Sequence, residues 1–138
     1  MTTALNGGCL CGQITFIAVN PARTHTCSCD FCQKHTGGQT VVWLEFAADD
    51  VQWTGKGGKP AIWRSSPTSN RAFCPQCGSS LGAIDDEPVI ALLSGVFDGN
   101  QHAAFAPVSH SFEDMKPQWW RALCPDVVDF RQQKTHQP

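Results

Sequence analysis

Seven of the eight cysteines of this 138-residue chain fall into three tight groups. They are Cys9-Leu10-Cys11, Cys27-Ser28-Cys29-Asp30-Phe31-Cys32 and Cys74-Pro75-Gln76-Cys77-Gly78. Cysteines two or three positions apart do not readily bridge one another, but their thiolates can converge on one ion about 2.3 Å from each sulfur. That chemistry is zinc ligation. Seven thiolates are one short of two closed tetrahedra, so the sequence reads as one full site and one three-thiolate site with an open corner.

Cys74-x-x-Cys77-Gly78 reads as a knuckle, with Gly78 free to take the positive φ that such a turn requires. Cys9-x-Cys11 precedes a strand-like segment, and residues i and i+2 of an extended chain face one side, so both sulfurs can reach the knuckle's ion. Together they make a structural site closing a loop of roughly sixty residues. Cys27, Cys29 and Cys32 remain as the open site, where a bound zinc ion would act on a water, a thiol or a carbonyl. A fourth ligand from His25, His35, Cys124 or an acidic side chain would instead close it and make it structural.

Stepping outward to what must hold these groups, the chain reads as mainly β with little helix. Strand-like segments run over Gln13–Ala18, Thr40–Phe46, Val51–Trp53, Ala61–Ser66, Ser79–Ile84, Val89–Val96 and Val108–Phe112, punctuated by glycine and proline. Gly55-Lys56-Gly57-Gly58-Lys59-Pro60 lacks the spacing of a phosphate loop and reads as a hairpin loop. Short helices are expected after Cys29 through Lys34 and from Pro117 to Leu123. Residues 1–125 read as one domain and 126–138 as a frayed tail.

Composition narrows the function. Hydrophobic residues make up 41% of the chain, including five Trp and eight Phe, enough for a core without staples. A formal charge of −2 offers no footprint for nucleic acid or an anionic membrane. No secretory signal and no apolar run of about 18 residues is present, so a reducing cytoplasm that keeps thiols free is the expected setting.

With these motifs assembled, the chain resembles the glutathione-dependent formaldehyde-activating enzyme family, whose relatives include centromere protein V. The resemblance rests on Gly7 to Gly12, Cys27 to Lys34 and Arg71 to Ser79, with Pro107 to His110 and Trp119-Trp120 resembling the closing segment. It implies a β-tent of folded-over antiparallel sheets with zinc knuckles at the junctions. It also implies that Cys9, Cys11, Cys74 and Cys77 hold a structural Zn2+, and that Cys27, Cys29 and Cys32 hold a second, catalytic one. The implied reaction is carbon–sulfur lyase chemistry, adding a thiol such as glutathione to formaldehyde or another small aldehyde. Ser28 stands where the family commonly has histidine, which removes an imidazole from beside the triplet.

Other residues have plainer readings. Lys34 and His35 read as a solvated pair, Arg71 as either a carboxylate clamp or an ion-pair partner, and His110 as a core or rim histidine with one hydrogen bond. The tryptophans read as core volume, and Cys124 as a small packed hydrophobe. The competing functions are a non-enzymatic zinc-stabilised binding module and a redox sensor in which the triplet oxidises when zinc leaves.

Overall fold

A computed structural model describes residues 3–122, so Cys124 and the 126–138 tail lie outside the described residues. Ten strands are described: β1 (Leu5–Gly8), β2 (Thr15–Ala18), β3 (Arg23–Cys27), β4 (Val41–Ala47), β5 (Val51–Trp53), β6 (Ala61–Arg64), β7 (Ser69–Phe73), β8 (Ser80–Asp85), β9 (Val89–Leu93) and β10 (His110–Ser111). They form a three-stranded sheet, β1-β2-β5, and a seven-stranded sheet, β10-β3-β4-β9-β8-β7-β6. The helices are α1 (Asp30–Thr36) and α2 (Gln118–Ala122). This is the mainly β, two-sheet architecture expected, with one exception: β10 runs parallel to β3.

Strand β4 shows why the two sheets fold over one another. Its residues alternate between faces, and both faces are covered. Leu44 and Phe46 point into the main core with Leu5, Phe16, Val51, Ile90, Leu92, Phe97 and Phe105. Val41 and Trp43, from the other face, pack with Cys27, Cys32 and Leu93. Phe97 is the hub of the main core, edge-on to Phe16 and Phe105 at 5.0 and 5.1 Å and stacked with Phe46 at 6.1 Å. A third cluster, Ile14, Ala72 and Leu81, encloses Cys9 and Cys74.

The main core therefore lies between the sheets, and each cysteine set has its own apolar jacket. Close approach of the sheets explains Gly7 in β1, since a Cβ there would lie 2.3 Å from the Val96 carbonyl oxygen.

Several sequence expectations need correction. The segment 94–96 is a 3-10 turn, not the end of β9. Gly55 to Pro60 is not a hairpin loop, because β5 and β6 belong to different sheets; it carries the chain from the small sheet to the edge of the large one. Strands β1, β3 and β7 were not foreseen as strands in full. Trp43 is buried as expected of core volume, but Trp63 and Trp119 are 66% and 54% exposed.

Candidate metal centres and adjoining cavities

The Cys9–Cys11 segment is a turn rather than an extended run. Gly12 donates its N–H to the Cys9 carbonyl at 3.2 Å and adopts a φ of +81°, so the pair forms a second knuckle. The Cys74–Cys77 knuckle closes in a related way, with Gly78 N–H donating to the Cys74 carbonyl at 2.9 Å and a φ of +79°. In each, a left-handed glycine turns the backbone away so that both sulfurs stay on the inner side.

The two knuckles face each other across the sheet junction. Their four sulfurs all lie within 4.8 Å of one another. Cys9 Sγ is 3.6 Å from Cys11 Sγ, and Cys11 Sγ is 3.8 Å from Cys74 Sγ. Corners of a tetrahedron with arms of about 2.3 Å are about 3.8 Å apart, so the donors stand at the spacing of a tetrathiolate site. Backbone N–H groups point at the sulfurs: Ile14 donates to Cys9 at 3.3 Å and Cys77 to Cys74 at 3.4 Å. The Ser79 hydroxyl links the halves, lying 3.2 Å from Cys77 Sγ and accepting the Leu10 N–H at 3.0 Å. Ser79 was legible only as part of a motif; its place two residues after Cys77 is the signal that it supports the site.

The protonation of this cluster argues for a cation. The Ser79 hydroxyl and backbone N–H hold the Cys77 thiol down to about 5. Burial works against ionisation of Cys9, yet the Ile14 N–H and the neighbouring thiols keep its pKa below the usual value. For Cys11 the Gln13 N–H favours the thiolate, but desolvation and its three thiol neighbours outweigh it and push the group up to about 12. Thiolates this close repel, so only a bound cation allows all of them to ionise together.

The triplet is built differently. Cys27 ends β3, Cys29 caps α1, and Cys32 lies in the first turn of α1. Cys29 Sγ accepts the Cys32 N–H at 3.3 Å, which folds the three sulfurs to within 4.8 Å of one another. Among the described residues no histidine or carboxylate joins them in that cluster. His25 lines the same cavity but has its Nδ1 3.0 Å from Glu45 Oε2. Burial keeps the His25 pKa low despite that carboxylate. Cys124 lies outside the described residues.

Burial pushes the Cys27 thiol up to about 12. Burial also raises Cys32, against the pull of Arg71. In Cys29 the desolvation penalty is outweighed by the Cys32 N–H and the adjacent thiols, so its pKa falls.

These sulfurs open into a cavity of about 290 Å³, lined also by Trp43, Glu45, Arg71, Asp85 and Ala91. A larger groove of about 520 Å³ lies on the other side of Arg71, which lines both. Arg71 stands over the Trp43 ring, 5.3 Å from its centroid. Its Nη1 and Nη2 donate to Cys32 Sγ at 3.8 and 3.9 Å, and Nη1 donates to His35 Nδ1 at 3.5 Å. Its contacts are therefore a thiol, an imidazole and an indole, in place of the structural ion pair considered from sequence. His35 is correspondingly half-buried rather than solvated, and burial together with Arg71 lowers its pKa. Lys34 beside it is exposed.

Ser28 does not face the triplet cavity. Its side chain is fully buried, with its hydroxyl 2.7 Å from Thr40 Oγ1 and 3.2 Å from His110 Nε2. His110 Nδ1 in turn meets the Thr26 hydroxyl. An imidazole thus stands behind the triplet after all, delivered by β10 instead of by position 28. The parallel pairing of β10 with β3 fixes it there, through the Thr26 N–H to Ser109 carbonyl and Ser28 N–H to Ser111 carbonyl bonds, both 3.0 Å.

Fold and sites define a small two-sheet protein with two thiol clusters that could hold metal ions, consistent with zinc. The chain belongs to the glutathione-dependent formaldehyde-activating enzyme family, whose pattern matches residues 4–115. A crystal structure of a Rhodobacter sphaeroides protein is similar in fold, with 18% identity, a TM-score of 0.57, and coverage of 76% of this chain and 98% of that one. No curated protein matches the chain. Among the described residues no helix is long and apolar enough to cross a membrane.

Proposed function

We propose that this protein is a zinc-dependent enzyme of the cytoplasm that joins a small-molecule thiol, glutathione or a similar compound, to formaldehyde or another small aldehyde. Cys9, Cys11, Cys74 and Cys77 are assigned to a structural zinc ion, and Cys27, Cys29 and Cys32 to a catalytic one. The observation that carries this reading is the asymmetry between the two clusters. Four thiols enclose one point, whereas three thiols without a fourth described ligand border an open cavity. Three-ligand sites with an open position are the usual catalytic form of zinc.

When bound at the triplet, zinc would supply a Lewis acid and hold an added thiol as its thiolate near neutral pH. The chain itself contributes position and charge. Trp43, Ala83 and Ala91 give the cavity one apolar wall, against which the carbon skeleton of a small substrate can rest. The Arg71 guanidinium sets a fixed positive charge within 4 Å of Cys32 Sγ, where a sulfur anion or a developing alkoxide would be stabilised. In the reaction the S–H bond is lost and its proton leaves to solvent. The sulfur pair forms the S–C bond, the carbonyl π pair moves onto oxygen, and oxygen takes up a proton. The product is an S-hydroxyalkyl thioether, with no change in overall oxidation state, and the reverse reaction is a carbon–sulfur lyase step.

The test pairs metal content with turnover. Wild type is expected to carry two zinc ions per chain and to accelerate thiol addition to formaldehyde above the uncatalysed rate. Cys29→Ser is expected to lose one ion and the acceleration. If Cys29→Ser keeps both ions and the full rate, the enzyme reading is wrong. Two ions with no acceleration for any thiol would favour a zinc-stabilised binding module.

A further inference from the structure

The groove of about 520 Å³ beside the triplet offers more aromatic surface than glutathione, a polar tripeptide with little apolar area, could cover. Three aromatic rings line it, from Phe31 on α1, Trp63 on β6 and Phe73 on β7. Phe31 and Trp63 are 55% and 66% exposed, so large apolar faces stand open to water around one concavity. Among the described residues, the side chains of fixed charge that line the groove are cationic, Lys34 and Arg71, and none that lines it is acidic.

Arg71 joins this groove to the cysteine cavity. It is the cross-strand partner of Trp63, and its guanidinium reaches Cys32 Sγ at 3.8 Å. His35 adds a donor. Its Nδ1 accepts from Arg71, which leaves the ring proton on Nε2, and that atom is buried without a hydrogen-bond partner. A ligand with sulfur at the triplet and a carboxylate one carbon away would meet the Arg71 guanidinium. A ring on the next carbon would enter the aromatic groove.

We propose that the thiol handled at the triplet is an α-mercapto carboxylic acid with an aromatic side group, its carboxylate held by Arg71 and its ring placed among Phe31, Trp63 and Phe73. This rests on the thiol–aldehyde reading above and names the thiol. The bond changes are those already given, with the aryl mercapto acid as the sulfur donor.

Calorimetric titration of the full-length, zinc-loaded chain tests it with four probes: 2-mercapto-3-phenylpropanoate, 2-mercaptopropanoate, glutathione and 3-phenylpropanoate, which lacks sulfur. The phenyl thiol is expected to bind at least about tenfold more tightly than either other thiol, the gain from burying much of a ring. 3-Phenylpropanoate should bind weakly and compete with the phenyl thiol. Trp63→Ala, on an exposed edge strand, is expected to bring the phenyl-to-methyl affinity ratio close to one. A phenyl thiol no tighter than 2-mercaptopropanoate, or a ratio untouched by Trp63→Ala, overturns the proposal. Glutathione as the tightest and best-used thiol overturns it while leaving the thiol–aldehyde reading intact. Binding of 3-phenylpropanoate with no binding of any thiol ends both.

Discussion

Replacing Cys74 with alanine should expose how much the four-thiol cluster contributes to stability. Cys74 is fully buried, its Sγ lies 3.8 Å from Cys11 Sγ, and the two are 63 positions apart. A cross-link closing a loop of that length constrains the unfolded chain by about 4 kcal/mol at 25 °C. Unfolding entropy near the midpoint is about 2.1 cal/mol/K per residue, or about 0.3 kcal/mol/K for this length, so the loss corresponds to about 14 °C in Tm. That is a floor. Structural zinc in small peptides contributes about 10–16 kcal/mol, comparable with the whole stability of a domain, so the variant could be unfolded at room temperature.

The assay is thermal unfolding by circular dichroism alongside metal analysis, on wild type, wild type with a strong chelator, Cys74→Ala and Cys29→Ser. Chelated wild type should fall by at least that floor, Cys74→Ala by as much where the three remaining thiols release the ion, and Cys29→Ser by much less, because its sulfur closes no long loop. A Cys74→Ala protein with wild-type Tm and one ion fewer would show that the knuckles are held together by packing alone. Unchanged metal content would mean that Cys9, Cys11 and Cys77 hold the ion as three thiols, and unchanged content in a Cys74→Ala/Cys77→Ala variant would refute the four-thiol site itself.

Acid should empty the triplet before the tetrathiolate. Metal binding needs thiolates, and each cluster holds one thiol pushed up to about 12, Cys27 in the triplet and Cys11 in the four-thiol site; the triplet has one donor fewer to hold its ion, and burial raises a second of its three thiols, Cys32. As pH falls, protons thus displace metal from the triplet at the higher pH, which stepwise release followed with a zinc indicator would detect. Arg71→Met keeps stem volume and removes the fixed charge; kcat/KM for thiol addition should drop about tenfold to a hundredfold, with both metals and Tm nearly retained. Ser28→Ala leaves Thr40 and His110 Nε2 each short of a buried contact, an expected loss of about 1–3 kcal/mol in denaturant unfolding. Gly78→Ala meets no steric obstacle but forces alanine to a φ of +79°, an expected loss of about 1–2 kcal/mol by the same assay.

The two cysteine groups were legible in the spacing and in the count of seven thiols, although Cys9 and Cys11 meet Cys74 and Cys77 from a turn and not from an extended run. Strands such as β4 were legible too, since four of the six residues from Val41 to Phe46 are β-branched or aromatic. What escaped notice were polar or glycine-rich strands. Arg23 to Cys27 reads as a surface segment, yet Thr24 and Thr26 are buried, the Thr24 hydroxyl donating to the Ala104 carbonyl and the Thr26 hydroxyl meeting the His110 ring and the Ser109 carbonyl, the latter at 3.3 Å. Ser69 to Phe73 looks hydrophilic because one face lines cavities. Leu5 to Gly8 looks like a loop because its glycines serve sheet contact. The arrival of His110 behind Ser28 depends on a parallel pairing between segments over eighty residues apart, which no local pattern encodes.

Strand β7 carries Arg71 against Cys32 and, three residues later and past a register shift between Ala72 and Phe73, leads into Cys74. Along an extended chain three residues span at most about 10 Å, which ties the two sites closely together. A disturbance of the fastening, such as oxidation at the exposed Cys77, would be relayed as a shift of the cation beside the reaction chamber. Damage that leaves every triplet atom chemically intact could still silence the protein, and its repair would need reduction of the oxidised thiol before the metal returns.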